Sequence, residues 1–339
     1  MTQTLPEAIA QFSPTLPVAV AFSAGADSTS LLVSCHQKWP GQVTAIHIHH
    51  GLQTVADDFQ SHCERICAQL AVPLVVCRVN GRPASGQSPE DAARAARYGA
   101  FAKLATEGWP VLGREIVASG PELPKALALA QHADDQVETI LLALSRGAGL
   151  PGLAAMSKQW SRGGIEFHRP LLDVSACDIR GWLRQQSVSF VEDPSNADPR
   201  FTRNQIRAQI LPPLQAVFPH LTDTFARTAA HAAQAQDLLH ELGQEDLTRT
   251  GSPGNCGLVI RQLQGLSRAR QANLLRHWLS TRFATQASAA QLGELLDQLA
   301  ACTTRGHRIC IKVGAGFAVR EAGILTWYNS GASGTSASR

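Results

Sequence analysis

Apolar residues along the first half of the chain recur in two rhythms. Short apolar runs at residues 18–22, 43–48, 73–79 and 126–130 have the length and composition of buried strands. Between them Phe59, Cys63, Ile66 and Leu70 repeat at three- and four-residue steps, as do Ala93, Arg97 and Phe101, which is the spacing of a helix face. Alternating strand and helix of this kind predicts an α/β fold, a doubly wound parallel sheet covered by helices.

The helix that carries Arg94 and Arg97 has a marked start. Ser88 is a capping residue, Pro89 suits the first helical position, and Asp91 complements the free amides of the first turn. Residues 109–124 hold Pro and Gly without periodicity and read as a surface excursion. Pro212, Pro213 and Pro219 interrupt the chain where the alternation has stopped, so a domain boundary is expected at 215–225. The expected organisation is a first domain over residues 1–220, a smaller, mainly helical domain over 221–330 and a disordered tail over 331–339. In the second domain Leu274, Leu275, Trp278 and Leu279 share one helical face and Leu292, Leu295, Leu296 and Leu299 another, while residues 309–313 and 323–328 predict a closing hairpin.

Composition narrows the class. With 44% hydrophobic and 17% charged residues the chain can fill a core and is too apolar for a disordered one. No run of eighteen apolar residues and no basic-then-apolar leader is present, so neither a membrane span nor secretion is expected. Eight cysteines without a CxxC pair read as reduced thiols, which favours a cytoplasmic location. A formal charge of +3 is too mild to identify a nucleic-acid partner, but its distribution is informative. Between Leu247 and Gly293 there is no Asp or Glu, whereas Arg249, Arg261, Arg268, Arg270, Arg276 and Arg282 all fall inside. That stretch is a candidate phosphate-binding surface; arginines solvating ordinary helices are the alternative.

Four clusters carry candidate chemistry. Ser23-Ala24-Gly25-Ala26-Asp27-Ser28 sits between a predicted buried strand and a helix, where such folds bind ligands. Small residues let backbone amides approach phosphate oxygens, the serines offer hydroxyls, and the helix N-terminus adds partial positive charge. Asp27 among phosphates would be repulsive unless it held a metal, which points to Mg2+. His47-Ile48-His49-His50-Gly51-Leu52 invites a zinc reading, but alternation in a strand splits the three histidines between faces. In Gln131-His132-Ala133-Asp134-Asp135-Gln136-Val137-Glu138, the residues His132, Asp135 and Glu138 gather on one side of a helix start, while Asp134 reads as a dipole partner. The fourth cluster, residues 192–207, turns at Pro194-Ser195-Asn196 and then places Arg203 and Arg207 on one helical face, suited to phosphate.

In order and spacing across residues 15–215, these clusters, with Ala93-Arg94, Arg97-Tyr98 and Arg146-Gly147, resemble the tRNA(Ile)-lysidine synthetase family of the ATP pyrophosphatase (PP-loop) superfamily. The C-terminal third is similar mainly through Leu275-Arg276-His277-Trp278-Leu279. The resemblance implies an adenine nucleotide hydrolase-like PP-loop fold and an ATP-dependent ligase acting on tRNA(Ile) with a CAU anticodon. ATP would adenylate the C2 oxygen of the wobble cytidine, and free L-lysine would then displace AMP to give lysidine. By position, residues Ser23, Ala24, Gly25, Ala26, Asp27 and Ser28 would hold ATP and Asp27 the Mg2+. Asp27, Asp135, His132 and Arg94 would serve the chemistry, with Asp135 the first candidate for proton acceptor and Glu138 the second. Arg97, Glu138, Arg203 and Arg207 would bind substrate, and Arg270 and Arg276 would grip tRNA. Two departures stand out: Ala24 occupies a place that is usually glycine, at a cost of about 1 kcal/mol if positive φ is required, and Gln53 stands where arginine often follows the His-Gly-Leu run. A PP-loop tRNA thiolase and a catalytically decayed tRNA-binding protein are the rival readings. Oligomeric state, a homo-oligomer included, is left open by the sequence.

Overall fold

β1 (Val18–Ala21), β2 (Val43–His49), β3 (Leu74–Arg78) and β4 (Ala126–Ala128) form where the apolar runs predict strands. The computed structural model describes residues 3–49, 55–79, 89–107, 124–193, 196, 198–252 and 256–329. Ser88, most of the 109–124 excursion, the stretch from His50 to Gln53, Pro194, Ser195 and the 331–339 tail lie outside the described residues. The four strands belong to a six-stranded sheet of order β3-β2-β1-β4-β6-β5, completed by β5 (Gln159–Arg162) and β6 (Ile165–His168). Every pairing is parallel except that of β5 with β6, an edge hairpin that the apolar pattern does not predict.

The sheet is covered on both faces, as parallel sheets require. Val18 and Val20 of β1 enter one core with Leu31, Leu32, Cys63 and Ile66, and Ala19 enters the other with Ile46, Leu127, Phe101 and Phe167. Helices α1 (Leu5–Gln11), α2 (Ala26–Lys38) and α3 (Val55–Leu70) supply the first core, and α4 (Pro89–Glu107) presents Phe101 to the second. Full burial of a side chain such as Phe101 is worth roughly 1.5–3 kcal/mol.

After β4 come α5 (Ala133–Ser145), α6 (Leu150–Leu153), the β5–β6 hairpin and α7 (Ala176–Gln185). Then follow α8 (Thr202–Gln205), a π-helical turn (Ile206–Ile210), α9 (Leu211–Val217) and the long α10 (Leu221–Thr250). Pro212 and Pro213 lie within α9 of the first unit, and the two compact units, Met1–Ala232 and Ala233–Arg339, part inside α10. The second unit contains α11 (Ile260–Gln264), α12 (Arg268–Phe283), α13 (Ala289–Ala301) and a four-stranded sheet. The predicted leucine faces of α12 and α13 form its core around Trp278, which is fully buried. The expected closing hairpin is corrected. β8 (Cys310–Val313) and β10 (Ile324–Asn329) do not pair with each other, because β9 (Gly316–Glu321) runs antiparallel to both, and β7 (Leu258–Val259) closes the other edge. Among the described residues no helix is long and apolar enough to cross a membrane.

Strand order reverses between β1 and β4, so the connections leaving their C-terminal ends go to opposite sides and open a crevice there. The turn after β1 enters it through Ala24, which has φ 67 and is fully buried. Its carbonyl accepts the Val191 N–H at 2.9 Å. Alanine in the left-handed region costs roughly 1–2 kcal/mol, but the buried methyl recovers about 0.8 kcal/mol and removes chain freedom worth about 0.4–1 kcal/mol from the unfolded state. These terms nearly cancel. Ala24→Gly should therefore change stability by less than about 1 kcal/mol. Ala24→Val, which adds β-branching at positive φ in a filled core, should destabilise by more than about 2 kcal/mol. Urea denaturation of the two variants checks the pair.

Candidate active site in the crevice between β1 and β4

The turn after β1 closes on itself. The Ser23 N–H donates to Ser28 Oγ at 3.1 Å, the two serine hydroxyls are 3.1 Å apart, and Ser28 Oγ donates to the Gly25 carbonyl at 3.1 Å. Thr29 Oγ1 adds a bond to the same carbonyl at 2.8 Å. Gly25 is the N-cap of α2 and offers no side-chain cap, so the first-turn amides of α2 are left for another acceptor. Such an end is suited to phosphate.

Across the crevice, His132 is the N-cap of α5, and its N–H donates to Asp135 Oδ2 at 3.0 Å. The imidazole is buried among carboxylates. Its Nε2 lies 3.7 Å from Asp27 Oδ2 and 3.6 Å from Asp135 Oδ2, and Nδ1 lies 3.6 Å from Asp134 Oδ2 without a hydrogen-bond partner. Asp134 is engaged elsewhere, since its Oδ2 accepts the Ala176 N–H at 2.8 Å and so caps α7. Burial pushes the Asp27 carboxyl above the usual carboxylate range and Asp135 adds to the rise, against the opposing charges of His132, Arg180 and Arg207. Sequence reasoning missed Arg180, because nothing in its local pattern shows that α7 brings it within electrostatic reach of Asp27.

Arg203 and Arg207 share a helical face as expected, and that face meets carboxylates of α5. Arg207 donates through Nε to Glu138 and through Nη2 to Glu138 Oε2 at 3.1 Å and Asp135 Oδ1 at 2.9 Å. Arg203 Nη1 lies 3.5 Å from Glu138 Oε2. The Glu138 side chain is 0% exposed. Burial raises its carboxyl, and the bonds from Arg207 oppose the rise. Glu138, expected to meet substrate or take a proton, is here the buried counter-charge of Arg203 and Arg207. Arg207 is likewise committed to Glu138 and Asp135.

Among the described residues no group of three His, Cys, Asp or Glu side chains forms a complete metal site. His47 Nδ1 instead meets the Phe22 carbonyl at 3.0 Å, with Cys63 Sγ at 3.4 Å, and burial holds its pKa below the ordinary histidine value. His49 Nε2 pairs with Asp57 at 3.1 Å. Asp27 and Asp135, flanking one imidazole beside an open phosphate cradle, do fit Mg2+, which is usually held by one or two carboxylates together with substrate phosphates and water.

The remaining candidates are dispersed. On α4 the Arg94 guanidinium lies 5.2 Å over the Tyr98 ring, and Arg97 is half-buried. In the second unit Arg270 is bound through Nε to Asp246 Oδ2 at 3.0 Å and through Nη2 to the same carboxylate, whose side chain is 0% exposed. Arg249 shares that carboxylate, and Arg268 pairs with Asp297 at 2.7 Å. The acid-free stretch of sequence is thus not acid-free in space, and Arg270 is paired with the Asp246 carboxylate. Arg276 is exposed on α12.

Comparison with known proteins agrees with this geometry. A PP-loop domain matches residues 1–214 and a TilS substrate binding domain matches residues 258–326. The tRNA(Ile)-lysidine synthase of Polaromonas naphthalenivorans is 53% identical over 320 residues, covering 94% of this chain and 92% of that one. The Pseudomonas aeruginosa enzyme of the same name is 42% identical over 273 residues, 77% of this chain but 58% of the relative. That of Escherichia coli O157:H7 is 36% identical over 326 residues, 94% and 70% respectively. The chain thus spans most of one relative and little more than half of another. Among solved structures, the U34-tRNA thiolase NcsA from Methanococcus maripaludis, with its 4Fe-4S cluster, superposes with a TM-score of 0.54 at 13% identity, over 67% of this chain and 76% of that one, a likeness of fold. On the two domain matches and these identities, the chain belongs to the tRNA(Ile)-lysidine synthases, a family of ligases built on a PP-loop ATP-binding domain.

Proposed function

We propose that this chain converts the wobble cytidine of the CAU anticodon of tRNA(Ile) to lysidine, with ATP and free L-lysine as co-substrates. The observation that carries the reading is the meeting of Asp27, from the turn after β1, with His132 and Asp135, from the start of α5, in one crevice. In the first step the cytosine O2 attacks the α-phosphorus, the α–β bond breaks and pyrophosphate leaves. In the second the lysine ε-nitrogen attacks C2, the C2–O bond breaks and AMP leaves. A ring oxygen leaves poorly and AMP leaves well, so the first step prepares the second.

The closed turn and the uncapped start of α2 would receive the triphosphate. Mg2+, held by Asp27 with Asp135 beside it, would neutralise charge on the phosphates. An amine of pKa ~10.4 is neutral in only about one molecule in a few thousand at pH 7, so attack needs a proton acceptor. Asp135 is the residue expected from the sequence, but its Oδ2 already accepts the His132 N–H and its Oδ1 the Arg207 guanidinium. His132 Nε2 is the better-placed acceptor, because it meets the crevice within 3.7 Å of Asp27. A thiolase would need cysteines at the crevice. Cys63 and Cys67 lie in the core of the sheet domain, and burial pushes the Cys67 thiol up to about 12, poorly suited to sulfur transfer.

Nucleoside mass spectrometry of a tRNA(Ile) transcript incubated with ATP and lysine should show cytidine condensed with lysine. A thiolated base formed from a sulfur donor, with no lysine adduct, would overturn the reading. A second expectation concerns the acceptor. His132→Asn should slow lysine transfer by about 10²–10⁴-fold while pyrophosphate release on adenylation persists. Rapid-quench separation of the two steps checks it, and equal loss in both would remove His132 from the proton-transfer role.

A further inference from the structure

Beside the crevice, α4, residues 155–157 and the β5–β6 hairpin form the walls of an open pocket of about 250 Å³, with Arg94, Tyr98, Trp160, Arg162 and Arg169 among its lining residues. That is several times the roughly 30 Å³ that one water occupies in the liquid. Among the described residues no Asp or Glu lines it.

Arg169 is 5% exposed and each of its hydrogen-bond partners is neutral, with the Asp135 carboxylate acting on it at longer range. Nε donates to Gln131 Oε1 at 3.1 Å, Nη1 to the Ser157 carbonyl at 2.7 Å and Nη2 to the Tyr98 hydroxyl at 3.4 Å. Its guanidinium stacks 4.0 Å over Trp160, whose other neighbour is Phe167 at 4.9 Å in a parallel stack. Arg94 lies over Tyr98, and Arg162 is exposed at the end of the β5 edge strand. A buried guanidinium is ordinarily paired with a carboxylate. The buried Arg169 and the exposed Arg94 and Arg162 place three positive charges around one pocket, a charge that an entering anion would offset. The aromatic faces are already occupied by guanidinium or phenyl groups, so the cavity offers charge rather than a stacking platform.

The cavity is fastened to the catalytic helix. Gln131, which holds Arg169, directly precedes His132, and Gln136 holds Met156 at both ends, donating to its carbonyl at 3.0 Å and accepting its N–H at 2.9 Å. Building on the lysidine reading, we propose that this cavity holds a backbone phosphodiester of the anticodon loop and thereby fixes the target cytidine against the crevice. Arg162 and Arg169 grip the phosphate oxygens, and Arg94 closes the side next to α4. The same oxyanion chemistry would suit free pyrophosphate, so the test separates the two.

Arg162 is the residue to change, since it lies at the surface and takes no part in the ATP turn. RNA affinity of the wild type and of Arg162→Gln is measured with an anticodon stem-loop whose loop phosphates are replaced one at a time by neutral methylphosphonates. One position should weaken binding to the wild type by about tenfold and cost Arg162→Gln nothing further, and the variant's salt slope should fall by about 1. ATP and pyrophosphate affinities should stay unchanged. The proposal is overturned if every methylphosphonate costs both proteins equally, or if the variant loses pyrophosphate affinity in place of RNA affinity. Lysidine formation by the wild type on full-length tRNA, assayed in parallel, reports separately on the parent reading, because the binding measurements need no chemistry.

Discussion

Arg207 holds two carboxylates of one helix at once, and the geometry of the crevice depends on that clamp. Glu138 is sealed from solvent, and an isolated buried carboxylate is costly enough that its partner cannot be spared. The partner comes from a π-helical turn far along the chain, a kind of distortion that recurs at functional sites. Satisfying Glu138 brings Arg207 Nη2, shared between the two carboxylates, to Asp135, whose other oxygen holds the His132 backbone. The imidazole then lies where it meets Asp27 from the opposite wall. This half-buried ion pair thus orders the groups that line the crevice, and its worth is in position more than in net stability.

Charge is balanced by the same arrangement. Asp27, Asp134, Asp135 and Glu138 would make a strongly repulsive group if all faced one space. Asp134 is committed to capping α7 and Glu138 to two arginines, which leaves Asp27 and Asp135 for the phosphate side. The turn after β1 is held by hydroxyl bonds among Ser23, Ser28 and Gly25. Alanine at position 24 keeps the left-handed backbone, so its departure from glycine has not opened the cradle.

What the sequence made legible was periodic or contiguous. Apolar runs placed β1 to β4, and small residues between strand and helix placed the phosphate turn at the reversal in strand order. The direction of long side chains was not legible. Arg203 and Arg207 looked like phosphate ligands because their partner Glu138 lies in a segment distant in sequence, and Arg270 looked free because Asp246 stands just before the acid-free stretch. The β5–β6 hairpin escaped notice for another reason. Its strands are four residues each, and the exposed residues of β5 carry little apolar signal. The closing sheet of the second unit was under-counted because β9 contains Gly316, Ala318 and Arg320 among its apolar positions and lacks a continuous run.

The central claim is that adenylation takes place in the crevice between β1 and β4, with Asp27 holding the metal against the phosphates. Its most direct test is exchange of labelled pyrophosphate into ATP in the presence of tRNA(Ile) and the absence of lysine, for the wild type and Asp27→Asn. The account predicts tRNA-dependent exchange by the wild type and its loss in the variant, with tRNA affinity unchanged. Exchange that survives Asp27→Asn, or that the wild type fails to show, would contradict it.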